Sequence, residues 1–232
     1  MSKISLEPNA SGAGTFTLAA PNSNTNRTLN LPDESGVLFS DGSGVPGSAV
    51  TGQLASSNMP AGSVIQVVSN IKTDTFFTTS LSFESSTDIP SYNVNIIPRY
   101  SSSEIYVTGT MTYSMDRRED EVYVPAFGLQ LNADTNSGRR AIYPTPNDDR
   151  THGLTGEFIG GASNDRANIF SISYNVVDTS ISSTDEITYQ ISVIAADTSQ
   201  NSLFAVNRPI VDQNNGFRVR AWSTITAMEI KR

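Results

Sequence analysis

The 232-residue sequence has no cysteine, a single histidine and few charges, and each shortage closes off a class of chemistry. Without Cys there is no disulfide scaffold and no thiolate site for zinc or redox work. His152 alone cannot build a multi-histidine metal centre, and it leaves only one candidate base for a hydrolytic triad. Charged residues are 16% of the chain, and the Ala, Glu, Lys and Leu that long helices or coiled coils need in bulk are not abundant. No apolar run approaches the roughly 20 residues that span a bilayer, and Met1–Pro8 has no signal-peptide core. The expectation is a soluble chain with no membrane insertion and no secretory route of its own. Among the charges that are present, 23 acids outnumber 15 bases, for a net charge of −8. A grip on nucleic-acid phosphates would work against that field, so no nucleic-acid partner is expected.

What the chain does contain is Ser, Thr, Asn and β-branched residues, with 16 Gly and 11 Pro between them. That composition predicts an all-β protein. Ile105, Val107, Gly109, Met111 and Tyr113 alternate with Tyr106, Thr108, Thr110 and Thr112, the period of two of a half-buried strand. The same alternation runs through Phe170, Ile172, Tyr174 and Val176, and through Ile187, Tyr189, Ile191 and Val193. Shorter strands are predicted over 64–68, 76–83, 92–97, 122–131 and 203–206. The last strand is expected to start at Phe217, Val219 and Ala221. It would then switch phase at a bulge near Ser223 or Thr224, so that Met228 and Ile230 carry its apolar side. About nine strands with no helix-period segment between them fit a C-terminal antiparallel β-sandwich over 63–232.

The first 62 residues read differently. Residues 1–39 hold three short β-like pieces, Thr15–Leu18, Thr28–Leu31 and Val37–Phe39, separated by turn formers, with Phe16 and Phe39 as their only aromatics. So little apolar surface does not offset an ordering cost of about 1–2 kcal/mol per residue, so this segment must borrow a core from other chains or from the rest of this one. Residues 40–62 carry five Gly, two Pro, one charge and no aromatic, and read as a spacer ordered by neighbouring chains or as a flexible tether.

Catalytic and metal signatures are weak. Asp148-Asp149 and the run Asp116, Glu119, Asp120, Glu121 lie in loops, and adjacency there does not give two carboxylates flanking a cleft. His152 lies near Asp149, but no Ser stands in a nucleophile-elbow sequence, so a surface or interface histidine is expected. Asp178, Asp197 and Asp212 lack calcium-loop spacing and read as solvated, and Gly160-Gly161 lacks the following Lys-Ser/Thr of a phosphate loop. No catalytic residue, cofactor or metal is therefore assigned. The candidate recognition surface is the long connection 132–149 and its end, with Arg139, Arg140, Tyr143, Asp149, Arg150 and His152. Arg218 and Arg220, beside Trp222, either pair with acids of a neighbouring chain or line a solvated edge.

Gly14-Thr15-Phe16-Thr17-Leu18-Ala19-Ala20-Pro21, then Asn26-Arg27-Thr28-Leu29-Asn30-Leu31-Pro32-Asp33, then Gly36-Val37-Leu38-Phe39, resembles a repeat of tail-fibre-like virion proteins of bacteriophages, particularly those of marine cyanobacteria. Gly47–Leu54, Pro60–Val68 and Ser223–Ile230 are similar to the spacer, first strand and last strand of those proteins, while 100–215 is a generic β pattern. The resemblance implies a homotrimer with a thin N-terminal part and a jelly-roll head, similar in outline to tumour necrosis factor-like domains. It also implies that Phe16, Leu18, Leu29, Leu31, Leu38 and Phe39 dock the chain to other phage virion proteins. The expected role is attachment of the virion, at its tail or capsid surface, to a host surface receptor such as a glycan, after assembly in the host cytoplasm. A capsid decoration protein or adaptor for a longer fibre, and a glycan-degrading tail spike, are the alternatives.

Overall fold

The computed structural model describes residues 10–15, 17, 19, 22–26, 28, 54–79, 81, 85–117, 126–143, 153–158, 168–195, 202–214 and 219–232. The chain divides into two units, 1–51 and 52–232. In the first, Ala10 and Ser11 form a turn, and the Thr25 amide donates to Ser23 Oγ at 3.1 Å. Phe16, Leu18, Leu29, Leu31, Leu38 and Phe39 lie outside the described residues.

In the second unit the alternating segments become eleven described strands: β1 Val64–Lys72, β2 Phe76–Thr78, β3 Thr87–Ile96, β4 Glu104–Arg117, β5 Ala126–Thr135, β6 Gly138–Ala141, β7 Thr155–Phe158, β8 Phe170–Asp178, β9 Ile187–Ala195, β10 Ser202–Val206 and β11 Ser223–Ile230. They form two sheets, one built on the order β1-β11-β4-β8 with β10 and β2 continuing beside the far half of β4. The other is built on β3-β9-β5-β7, with β6 beside β7 on the free side of β5. The chain pairs first with last, β1 with β11, then β3 with β9, β4 with β8 and β5 with β7, all antiparallel. That double ribbon, folded so that the main strands alternate between two sheets, is a jelly-roll β-sandwich.

Alternation puts Ile105, Val107, Met111 and Tyr113 of β4 and Ile187, Tyr189, Ile191 and Val193 of β9 in one core, as the period of two predicts. Tyr113 of the first sheet meets Phe127 of the second edge-on at 4.8 Å, and Phe204 stacks on Tyr113 at 6.1 Å. Such pairs add about 0.5–1.5 kcal/mol each beyond the area they bury. The β3 ladder is broken between Asp88 and Asn93, where Ser91 has φ 59°. The carbonyls freed by the break are taken by side chains: Gln190 Nε2 donates to Ile89 O at 3.0 Å, Lys72 Nζ to Pro90 O at 2.6 Å, and Asn70 Nδ2 to Ser91 O at 3.3 Å.

Five expectations need correcting. The last strand starts at Ser223, with no strand over 219–222: the Ala221 amide donates to Asn207 O and Thr112 Oγ1 to Trp222 O, which turns that stretch across the end of β10. No phase switch is needed, because Ile225, Ala227 and Glu229 face inward and Met228 and Ile230 lie on the outer, half-exposed side. With Met228 and Ile230 on the apolar side Glu229 would face outward, yet its carboxylate is buried. It accepts from Gln66 Nε2 at 2.6 Å, Ser103 Oγ at 2.6 Å and the Arg99 amide at 2.8 Å, pinning the β3–β4 turn. Finally, the supposed loop after Asn132 begins as the β5–β6 hairpin, and Asp178, read as solvated, is the buried last residue of β8.

Candidate functional site

The β5–β6 hairpin turns at Asn136-Ser137, with Gly138 at φ +115°, a value that L side chains rarely adopt. Thr135 Oγ1 closes the turn, donating to Gly138 O at 3.0 Å and accepting the Ser137 amide at 3.2 Å. Because β6 continues as a strand, its two arginines point to opposite faces.

Arg139, opposite Asp134, lies on the outer face and grips two carboxylates at once. Its Nε and Nη2 reach Asp134 at 2.7 and 2.8 Å, and its Nη1 and Nη2 reach Asp88 at 2.9 and 2.8 Å. Asp88 also accepts Ser192 Oγ at 2.6 Å, and Ser192 accepts Asn132 Nδ2 at 3.0 Å. The Arg139 hydrogen bonds hold the Asp88 carboxyl below the usual carboxylate range. This chain of polar groups ties β3, β9, β5 and β6 together on the outer side of the second sheet.

Arg140, opposite the buried Ala133, turns inward and crosses to the other sheet. Its Nη1 and Nη2 donate to the two oxygens of Asp178 at 2.8 and 2.7 Å, a bidentate pair whose carboxylate side chain is 1% exposed. Tyr189 Oη and the Ser180 amide donate to the same carboxylate at 2.8 and 3.0 Å. Burial pushes the Asp178 carboxyl up, but the Arg140, Tyr189 and Ser180 hydrogen bonds outweigh it and leave it below its ordinary value. Burial, with the adjacent carboxylate second, raises Tyr189.

Between the hairpin turn and the β8–β9 connection lies a cavity of about 330 Å³, lined by Asn136, Ser137, Ser182, Ser183 and Asp185 among others. Arg139 and Arg140 form part of its wall. Its hydroxyl and amide groups suit a ligand rich in hydroxyls more than an apolar one. Of the sequence-based recognition residues, the structure brings Arg139 and Arg140 to this cavity. Tyr143 is half-buried just beyond β6, and Asp149, Arg150 and His152 lie outside the described residues. Ser182, Ser183 and Asp185 were missed, although the Ser-rich run 180–183 was the available signal.

Other charges are also taken up locally. Arg220, read as an interchain or solvated residue, pairs with Asp212 of its own chain, as does Arg208, whose guanidinium lies 5.0 Å over the Phe77 ring. Arg218 and Asp197 lie outside the described residues. The buried Lys72 ammonium pairs with Asp74 at 2.9 Å. Among the described residues no group of three metal-type ligands occurs, and no helix is long and apolar enough to cross a membrane. Asp88 and Asp178 stay ionised well below neutrality and cannot serve as general acids there.

No family model matches the chain, and no curated protein matches it. Among solved structures, the VP2 protein of infectious bursal disease virus in derived particles aligns at 14% identity and a TM-score of 0.36, over 79% of this chain and 41% of the other. The infectious bursal disease virus Gx strain structure aligns at 14% identity and a TM-score of 0.35, over 72% of this chain and 37% of the other. Dimeric latent PorU from Porphyromonas gingivalis gives 10% identity and a TM-score of 0.27, over 74% and 14%. The chain thus spans about two fifths or less of the structures it aligns with, and scores of this size establish no shared family.

Proposed function

We propose that the chain is a non-enzymatic structural subunit of a bacteriophage particle, a short trimeric tail-fibre-like protein that attaches the virion to a host surface. What carries the reading is the union in one chain of the Asn26–Asp33 and Gly36–Phe39 pattern with a C-terminal jelly-roll. The fold alone does not fix a function, since jelly-rolls serve capsids, lectins and enzymes alike. In this reading residues 1–39 dock to other virion proteins. The hydroxyl-lined cavity at Asn136, Ser137 and Ser182 takes a host glycan. The engagement of Asp88, Asp134, Asp178 and Asp212 in ion pairs supports binding over glycan cleavage.

The test is antibody labelling of purified particles by electron microscopy, with an adsorption assay in which free chain competes with particles for host cells. Label at the tail and reduced adsorption are the expected results. Label on the capsid alone would replace the attachment role with decoration or anchoring of a longer fibre. Absence of the chain from particles, or release of reducing ends from host glycans, would overturn the proposal.

A further inference from the structure

The two outer faces of the sandwich differ sharply in charge. The outer side of the second sheet carries Asp88, Asp134 and Arg139. On the first sheet, strand register sets out three rows across β1, β11, β4 and β8: Val67, Met228, Tyr106 and Val177; Ser69, Thr226, Thr108 and Asn175; and Ile71, Thr224, Thr110 and Ser173. None of these twelve side chains is charged. Val67 is 56% exposed, Ile71 53% and Val177 43%. A face turned to water ordinarily carries about a quarter or more of Lys, Arg, Asp and Glu.

Five hydroxyls of this face, those of Ser69, Thr226, Thr108, Thr110 and Ser173, are engaged within the sheet. Ser69 and Thr226 share a hydrogen bond at 2.9 Å, Thr108 Oγ1 donates to Tyr174 O at 3.1 Å, and Thr110 and Ser173 meet at 3.5 Å. Covering them strands few polar groups, which is what a dry contact requires. A fourth row, Val64, Ile230 and Glu104, ends in the ion pair of Glu104 with Arg232, placing charge at the rim. Beyond this area the chain covers its own sheet: the Ile210 amide donates to Ser114 Oγ at 3.3 Å, and Ser114 and Asp116 of β4 are buried.

We infer that this uncharged face is the surface through which copies of this chain meet. The occupant is a second copy because each copy carries −8, so like chains repel wherever their acidic surfaces face one another. A contact made through a charge-free face adds no such repulsion. Four strands about 4.8 Å apart and four rows about 6.8 Å apart give a flat footprint of about 500 Å². A standard interface takes roughly 800 Å² from each partner, so this footprint would supply the larger part of one. The inference deepens the trimer in the proposed function and rests on that reading.

The experiment is light scattering of the full-length chain and of Val67→Lys/Met228→Lys, with Val177→Glu as an independent variant on the far strand and Thr188→Lys on the other sheet as control. The expected result is a multiple of 24.9 kDa for the wild-type and control chains, and a fall to 24.9 kDa for both face variants with circular dichroism unchanged. A multimer that survives in a folded face variant overturns this surface and leaves the trimer standing. A wild-type monomer at all accessible concentrations overturns both, and hydrogen-exchange protection of β1 and β11 on the intact particle would then assign the face to a different virion protein.

Discussion

Replacing Gly109 by Ala tests the closest approach in the core. Gly109 occupies an inward position of β4, paired with Ile225 of β11 and Tyr174 of β8 and close to the Thr224 carbonyl. A Cβ built there would lie 2.6 Å from Tyr174 Cζ, and nearer still to the Tyr174 hydroxyl and the Thr224 carbonyl oxygen. The carbonyl belongs to a central ladder and cannot swing aside. Displacing Tyr174 would break its hydrogen bond to Tyr92 Oη at 3.2 Å and disturb the one from Tyr92 to Thr224 O at 3.2 Å. Overpacking costs about 1–3 kcal/mol, and each buried hydrogen bond lost adds about 0.5–1.5 kcal/mol. Gly109→Ala is therefore expected to lose about 2–6 kcal/mol of a total near 5–15 kcal/mol. With a urea slope of about 3 kcal/mol/M, the unfolding midpoint drops by about 0.7–2 M. Tyr174→Phe alone should lose about 1 kcal/mol, and it should not rescue Gly109→Ala, because the ring carbon and the carbonyl remain. A Gly109→Ala chain within about 0.5 kcal/mol of wild type, or full rescue by Tyr174→Phe, would refute the packing argument.

Arg140→Met leaves the Asp178 carboxylate buried without its cation and should cost about 3–5 kcal/mol in urea unfolding, whereas Arg139→Met, on the exposed face, should cost about 1 kcal/mol or less. Because Asp178 sits below its ordinary value in the folded chain, its contribution is complete above about pH 4 and is lost as pH falls through its folded value; Arg140→Met should flatten that part of the acid-stability curve. Tyr113 Oη is buried with no hydrogen-bond partner, so Tyr113→Phe should leave the melting midpoint unchanged or raise it, while Tyr189→Phe, which removes a donor to Asp178, should lower it. Lys231 Nζ donates to Ser57 O at 2.8 Å and Met59 O at 2.6 Å, so Lys231→Met should expose residues 54–60 to limited proteolysis without unfolding the sandwich.

The alternation of β4, β8 and β9 was legible because period two survives wherever one face is buried, and from it the all-β sandwich followed. Strand ends were not. β1 runs on to Lys72 because the Lys72 ammonium is buried against Asp74 and Pro90 O, a partnership invisible in sequence. The Ile89–Tyr92 break in β3 is held by Asn70, Lys72 and Gln190, two of them from another strand of the other sheet. Glu229 and Asp178 were misread for one reason: a carboxylate inside a strand pattern looks solvent-facing until the donors that converge on it are known. The arginines at the candidate site were found by composition, but their division between an outer and an inner face depended on recognising β6 as a strand.

Periodicity therefore separates inward from outward positions but says nothing about what the outward positions face. Met228 and Ile230 look like core in a strand that ends beside a charge, and their placement outside becomes intelligible only when register aligns Met228 with Val67, Tyr106 and Val177 across four strands. A single exposed Val needs no explanation, whereas an uncharged row reproduced in three successive registers does. The same strands bury Glu229 and Asp178 at the ends of the sandwich while keeping charge off the open sheet between them. Acids placed where donors saturate them, and withheld from a face of Thr, Ser and Val, fit a chain selected to meet its own kind through that face.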